Sequence, residues 1–122
     1  MALNMTSEEL QKRTKEFALR VLRFVDSLPK GYSVDIISKQ LSRAATSVGA
    51  NYRAACKARS KADFISKVTI VEEEADETQY WLELLIGLDI GNKEEVTGLL
   101  EEAMELTAIF TASGKTAKRN RS

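Results

Sequence analysis

Five carboxylates fall within six residues, at Glu72, Glu73, Glu74, Asp76 and Glu77. In helical bundles that hold paired metal ions, such carboxylates act with histidine at Glu-x-x-His spacing on facing helices. The sequence contains no histidine, which removes that ligand set together with imidazole acid/base chemistry and Ser-His-Asp triads. Successive helical residues also point about 100° apart, so the five carboxylates cannot share one site. A solvated face, or salt bridges between subunits, is the expected role. Glu74 shares its face with Ile70 and Trp81, which places it at an expected subunit boundary near Arg43 or Arg53. No glycine-rich phosphate loop and no G-x-S-x-G elbow occurs. The expectation is a protein that is not an enzyme and holds no metal or cofactor.

The cations offer a different chemistry. Arg43, Arg53, Lys57, Arg59 and Lys61 run from the second helix into the turn after it, and Arg20 and Arg23 lie on the first. Repeated around an oligomer, such a patch becomes a substantial field that attracts phosphate, with the salt dependence of counterion release. Aromatic residues do not alternate with these cations, so a base-stacking platform is not indicated. The formal charge is zero overall, yet Met1 to Lys67 carries +7, Val68 to Gly114 carries −11 and the last eight residues carry +4. Helices that neutralise one another within or between subunits produce this asymmetry, as does a basic surface that meets nucleic acid.

Four elements must position these groups. The first helix is predicted from Thr6, where Thr6 and Glu9 have capping-box spacing, to just before Pro29, with Leu10, Phe17, Val21, Phe24 and Leu28 as its core stripe. Ser33 is the expected cap of the second, whose seam reads Ile37, Leu41, Ala44, Val48, Asn51 and Ala55. Asn51 then occupies a core position, where an amide fixes register at a cost in stability; contact with a ligand is the alternative. A hydrogen bond from Asn51 to Glu72 is geometrically reasonable. The third helix opens at Ser60, buries Phe64, Val68, Val71, Ala75, Thr78, Leu82 and Leu85, and is expected to end at Gly91. The fourth opens at Asn92 and turns Val96, Leu99 or Leu100, Ala103, Leu106 and Phe110 inward.

Two features point to self-association. Ser47, Gly49 and the alanines around them imply close backbone packing, since a helical glycine costs about 1 kcal/mol relative to alanine. The third helix also carries a second apolar line through Ile70, Trp81, Leu84 and Leu88, more than one bundle interior needs. Cys56 is the only cysteine, so no intramolecular disulfide forms, and it reads as a small apolar helix residue in a reducing compartment. The N-terminus lacks signal-peptide order and no apolar run approaches the ~20 residues of a membrane span. A cytoplasmic protein with no membrane association is expected.

The run Arg43 to Tyr52, then Arg59 to Phe64, then Glu72 to Glu77 with Tyr80-Trp81-Leu82, resembles the bacterial four-helix bundle proteins encoded within 23S rRNA intervening sequences. The resemblance covers Leu10 to Phe110. It implies an up-down-up-down bundle that assembles as a ring-like homopentamer. It also implies kinship with the accessory variability determinant of diversity-generating retroelements, a basic pentamer that works with a reverse transcriptase and nucleic acid. Relatives carry Asn-Ile-Ala-Glu-Gly where this chain has Asn51-Tyr52-Arg53-Ala54-Ala55, so roles of that glutamate and glycine do not carry over. The sequence therefore predicts an all-α, antiparallel four-helix bundle over residues 1–114 with a disordered basic tail over 115–122, forming a homo-oligomer. The expected function is a scaffold or adaptor that binds RNA or DNA through basic faces of helices 1 and 2. The alternative is a protein-only adaptor that takes an unidentified protein partner near Trp81 and Leu88.

Overall fold

The structure, a computed structural model, describes residues 5–120. Four helices, and no strands, occur among them: α1 (Ser7–Asp26), α2 (Tyr32–Ala55), α3 (Lys61–Gly87) and α4 (Lys93–Arg119). Each packs on the next along the chain. The α2–α3 and α3–α4 contacts are the most extensive, and α1 touches α4 least. Stepping along α3 from Glu72 to Gln79 steps the hydrogen-bond partner back along α4, from Thr111 to Thr107.

The helix starts follow from local chemistry. Thr6 accepts from the Glu9 amide at 3.0 Å while Glu9 accepts from the Thr6 amide at 2.8 Å, a complete capping box. Ser60 and Asn92 cap α3 and α4 by accepting from the amides of Asp63 and Glu95. Ser33 does not cap α2. That helix begins one residue earlier at Tyr32, behind Gly31, which makes no side-chain capping bond. Helix α3 stops at Gly87 rather than running to Gly91, and Asp89 and Gly91, both at positive φ, turn the chain into α4.

The core is the predicted stripes, adjusted where neighbours decide. Phe17, Val21 and Phe24 of α1 meet Leu41, Ala45 and Val48 of α2, Val68, Val71 and Leu82 of α3, and Leu99, Leu106 and Phe110 of α4. Of the two leucines offered for α4, Leu99 is buried and Leu100 half-buried. In α2 the core position belongs to Tyr52, whose ring lies 5.2 Å from that of Phe110, and Asn51 is displaced to the half-buried margin. Asn51 donates to the Ser47 carbonyl at 2.9 Å, one turn back on its own helix. Glu72 instead accepts from Thr111 at 2.7 Å, so the expected Asn51–Glu72 bond is absent. Gly49 does pack closely: a Cβ there would stand 3.5 Å from the Thr14 backbone of α1.

The expected disordered tail is corrected for its first five residues. Helix α4 continues through Arg119 because Gly114 is buried, with Val68 3.9 Å from where its Cβ would stand, and therefore serves packing rather than termination. Lysine, alanine and arginine then favour helix, and Lys118 and Arg119 in the last turn offset the negative end of the helix dipole. Residues 1–4 of the expected domain and the tail residues 121–122 lie outside the described residues. Among the described residues no helix is long and apolar enough to cross a membrane.

Candidate nucleic-acid interface

The turn between α2 and α3 is short and locally determined. The Cys56, Lys57 and Ala58 amides close the last turn of α2 on the carbonyls of Tyr52, Ala54 and Ala55, and Ser60 opens α3. Lys57, Arg59 and Lys61 are left exposed on it, beside the exposed thiol of Cys56. The extension of α4 brings further cations here. Lys61 Nζ lies 3.5 Å from the Asn120 carbonyl, a loose contact that nevertheless fixes which ends adjoin. The last two turns of α4 add Lys115, Lys118 and Arg119, all exposed. A hollow of about 500 Å³ lies between α3 and α4 at this end, bordered by Lys61, Phe64, Thr116 and Asn120. Among the described residues none of these six cations is in a salt bridge.

Electrostatics within the turn are specific. Lys67 donates to Asp63 at 2.7 Å and holds its carboxyl below the ordinary range, with Arg59 adding to the effect. Asp63 therefore stays ionised without engaging the exposed cations of the turn in an ion pair.

A larger concavity than this hollow lies elsewhere, between α1 and α2. It encloses about 610 Å³, with small residues Ala18, Gly49 and Ala50 and three cations, Lys12, Lys15 and Arg53, among those lining it. Close approach of the two backbones at Gly49 and Thr14 keeps side-chain bulk out of it.

The structure does not gather the predicted cations on one face. Arg53 lines the α1–α2 groove. Arg20 lies toward α4, its guanidinium 3.6 Å from where a Gly98 Cβ would stand. Arg43 sits near Glu74 of α3, opposing the upward push that burial, then Glu77 and Glu73, give to the Glu74 carboxyl. Arg23 lies in the last turn of α1, far along the bundle from Lys57, Arg59 and Lys61. Of the predicted structural residues, Gly49 sits at the α1–α2 contact, Ser47 accepts from Asn51, and Trp81 donates to Glu77 at 3.0 Å beside an edge-on Tyr80. The five carboxylates remain spread around α3; among the described residues no three histidine, cysteine or carboxylate side chains cluster to hold a metal ion.

Three groups went unmarked. Lys12 and Lys15 line the groove, and their i, i+3 spacing was visible, but nothing in it distinguishes a groove from open surface. The α4 cations read as tail. Arg13, to which helical spacing offers Glu9 and Glu16 on its own helix, instead reaches across to Glu102 and Glu105 of α4 at 2.7 and 2.8 Å and reinforces the least extensive of the helix contacts.

Residues 7–112 match the model of the 23S rRNA-intervening sequence protein family, which is nearly the whole bundle. The chain belongs to that family. A crystal structure of a family relative agrees: a protein of unknown function from the S23 ribosomal protein family of Bacteroides thetaiotaomicron VPI-5482 is 35% identical. It superimposes with a TM-score of 0.82 over 91% of this chain and 99% of that one. No curated protein matches the chain. The family match spans both the central motif from Arg43 to Trp81 and the exposed cations Lys57, Arg59 and Lys61 of the α2–α3 turn.

Proposed function

We propose that this protein is a non-catalytic scaffold: an antiparallel up-down-up-down bundle that assembles as a cytoplasmic homopentamer and holds RNA or DNA on the basic ends of its subunits. The observation that carries the reading is the junction of Lys57, Arg59 and Lys61 with the α4 extension bearing Lys115, Lys118 and Arg119. Cations without acidic partners are free to replace the counterions of a phosphate backbone. The stepwise pairing of α3 with α4 through Glu72–Thr111 and Gln79–Thr107 supports the antiparallel arrangement. Family membership supports the ring.

The test is a salt titration of binding to a short RNA and a short DNA duplex. Reversing Lys57 and Arg59 to glutamate is expected to weaken binding and to reduce the slope of log K against log salt by about 2, one for each lost phosphate contact. Unchanged affinity and slope would sink this end as the site. The second reading, a protein-only adaptor, is favoured by exposed Ile70 and Tyr80 on α3 and Leu88 just after it. It predicts complexes indifferent to salt and nuclease.

A further inference from the structure

Two surfaces of one subunit are complementary, and we infer that they meet between copies: the α1–α2 groove of one chain receives the outer face of α3 from a second copy of this chain. The inference rests on the oligomeric part of the proposed function and names the contact that builds it.

The groove has the dimensions of a short helical contact. Its α1 wall runs from Gln11 to Ala18 and its α2 wall from Thr46 to Arg53, each about 10 Å at 1.5 Å per residue, or two helical turns. Ala18, Gly49 and Ala50 leave it without bulky side chains, and small contact residues permit the shorter interaxial distances of packed helices. The outer face of α3 supplies what such a groove accepts. Between Glu73 and Trp81, about 12 Å of helix, Tyr80 is 52% exposed beside half-buried Trp81. Glu73 and Glu77 stand on the same face, one turn apart.

Charge selects the pairing. Lys12, Lys15 and Arg53 bring three positive charges to the groove, and among the described residues none has a salt-bridge partner. Glu73 and Glu77 likewise form none. Glu74 next to them is raised by burial and then by Glu77, with Arg43 of α2 opposing and Glu73 adding. Docking brings the groove's cations to Glu73 and Glu77 and covers Tyr80 and Trp81, the length of α3 that a two-turn groove can hold. Because the groove and this face of α3 are different patches, the contact is heterologous, and repetition of a heterologous contact closes a ring when the rotation allows. The basic α2–α3 turn lies beyond the groove and stays open.

The experiment is the absolute mass of the full chain by light scattering at moderate salt, with circular dichroism to verify helicity. Three variants are compared: Lys12→Glu with Lys15→Glu, Glu73→Lys with Glu77→Lys, and all four changes in one chain. All four positions are exposed, and unchanged helicity is required of each variant, since Glu77 also accepts from Trp81. Each pair alone is expected to reduce the mass to that of one chain, 13.6 kDa, and the fourfold variant to restore the oligomer. Ala50→Trp, at an exposed groove residue, fills the groove without reversing charge and is expected to lower the mass likewise. Oligomers that persist in both reversed pairs and in Ala50→Trp would assign the groove to another occupant and overturn self-docking, while leaving the oligomeric reading intact. A single-chain mass for the unmodified protein would overturn both.

Discussion

Where the α1–α2 and α3–α4 turns meet, a Cβ at Gly91 would stand 2.9 Å from both Leu28 and Phe24, on a backbone at φ +90°. At the opposite end, alanines and other short side chains of α4 leave a hollow of about 500 Å³ against α3. A methyl group at Gly91 finds no room at the first end, whereas the second carries an open, cation-bordered hollow. The contrast separates two environments along one bundle. Contacts around Phe24 anchor the turns that set the helix order, whereas the hollow beside Lys61 leaves the side chains around it exposed.

The sharpest way to break this comparison is Gly91→Ala. It combines a disfavoured backbone conformation with overpacking against an aromatic ring and is expected to cost about 2–3 kcal/mol in chemical denaturation. A loss under half that would mean the tight end relaxes as easily as the loose one. The caps provide a control in which the ends should not differ. Asn92→Ala at the tight end and Ser60→Ala at the loose end each remove one acceptor for the third helical amide, and each is expected to cost about 1 kcal/mol. A clear difference between them would show that packing density modulates capping.

The smallest effect is one of pH, and it sharpens the contrast through opposite signs. Burial and acidic neighbours raise Glu74, so the folded state retains a proton that the unfolded chain has lost. Stability then falls as pH rises through the window above the ordinary carboxylate range. Asp63, lowered by Lys67, does the reverse: its contribution is present above the unfolded value and is lost as pH falls through the folded one. Denaturation of Glu74→Gln across pH 4 to 7 is expected to flatten the first slope. If the Gln variant keeps the parent's pH profile, Glu74 is not the group responsible.

Much of the fold was legible because it is local. Thr6 with Glu9, Ser60, and Asn92 with Glu95 announce three helix starts by side-chain chemistry within four residues. What escaped depends on neighbours distant in sequence. From Val48 the helical spacing allows either Asn51 or Tyr52 inward, and only the position of Phe110 on α4 decides for the tyrosine. Gly114 reads as a stop until Val68 is known to press on it. That reading hid the last helical turns, and with them half of the cationic end. The site was therefore half visible: Lys57, Arg59 and Lys61 sit together in the sequence, but Arg20, Arg23, Arg43 and Arg53 share only their charge. The helices carry them to different sides of the bundle.

Cys56, exposed beside Lys57, has a practical consequence. As the chain's only thiol, it accepts one maleimide-linked dye or nitroxide per subunit without any mutation. If the proposed ring forms, energy transfer or dipolar spectroscopy reads a set of distances whose number and ratio report how many copies it holds, and a lone chain gives none. The same label stands at the cationic end and changes its emission when a polyanion arrives there. One chemical step thus turns the unmodified protein into its own ruler and its own sensor.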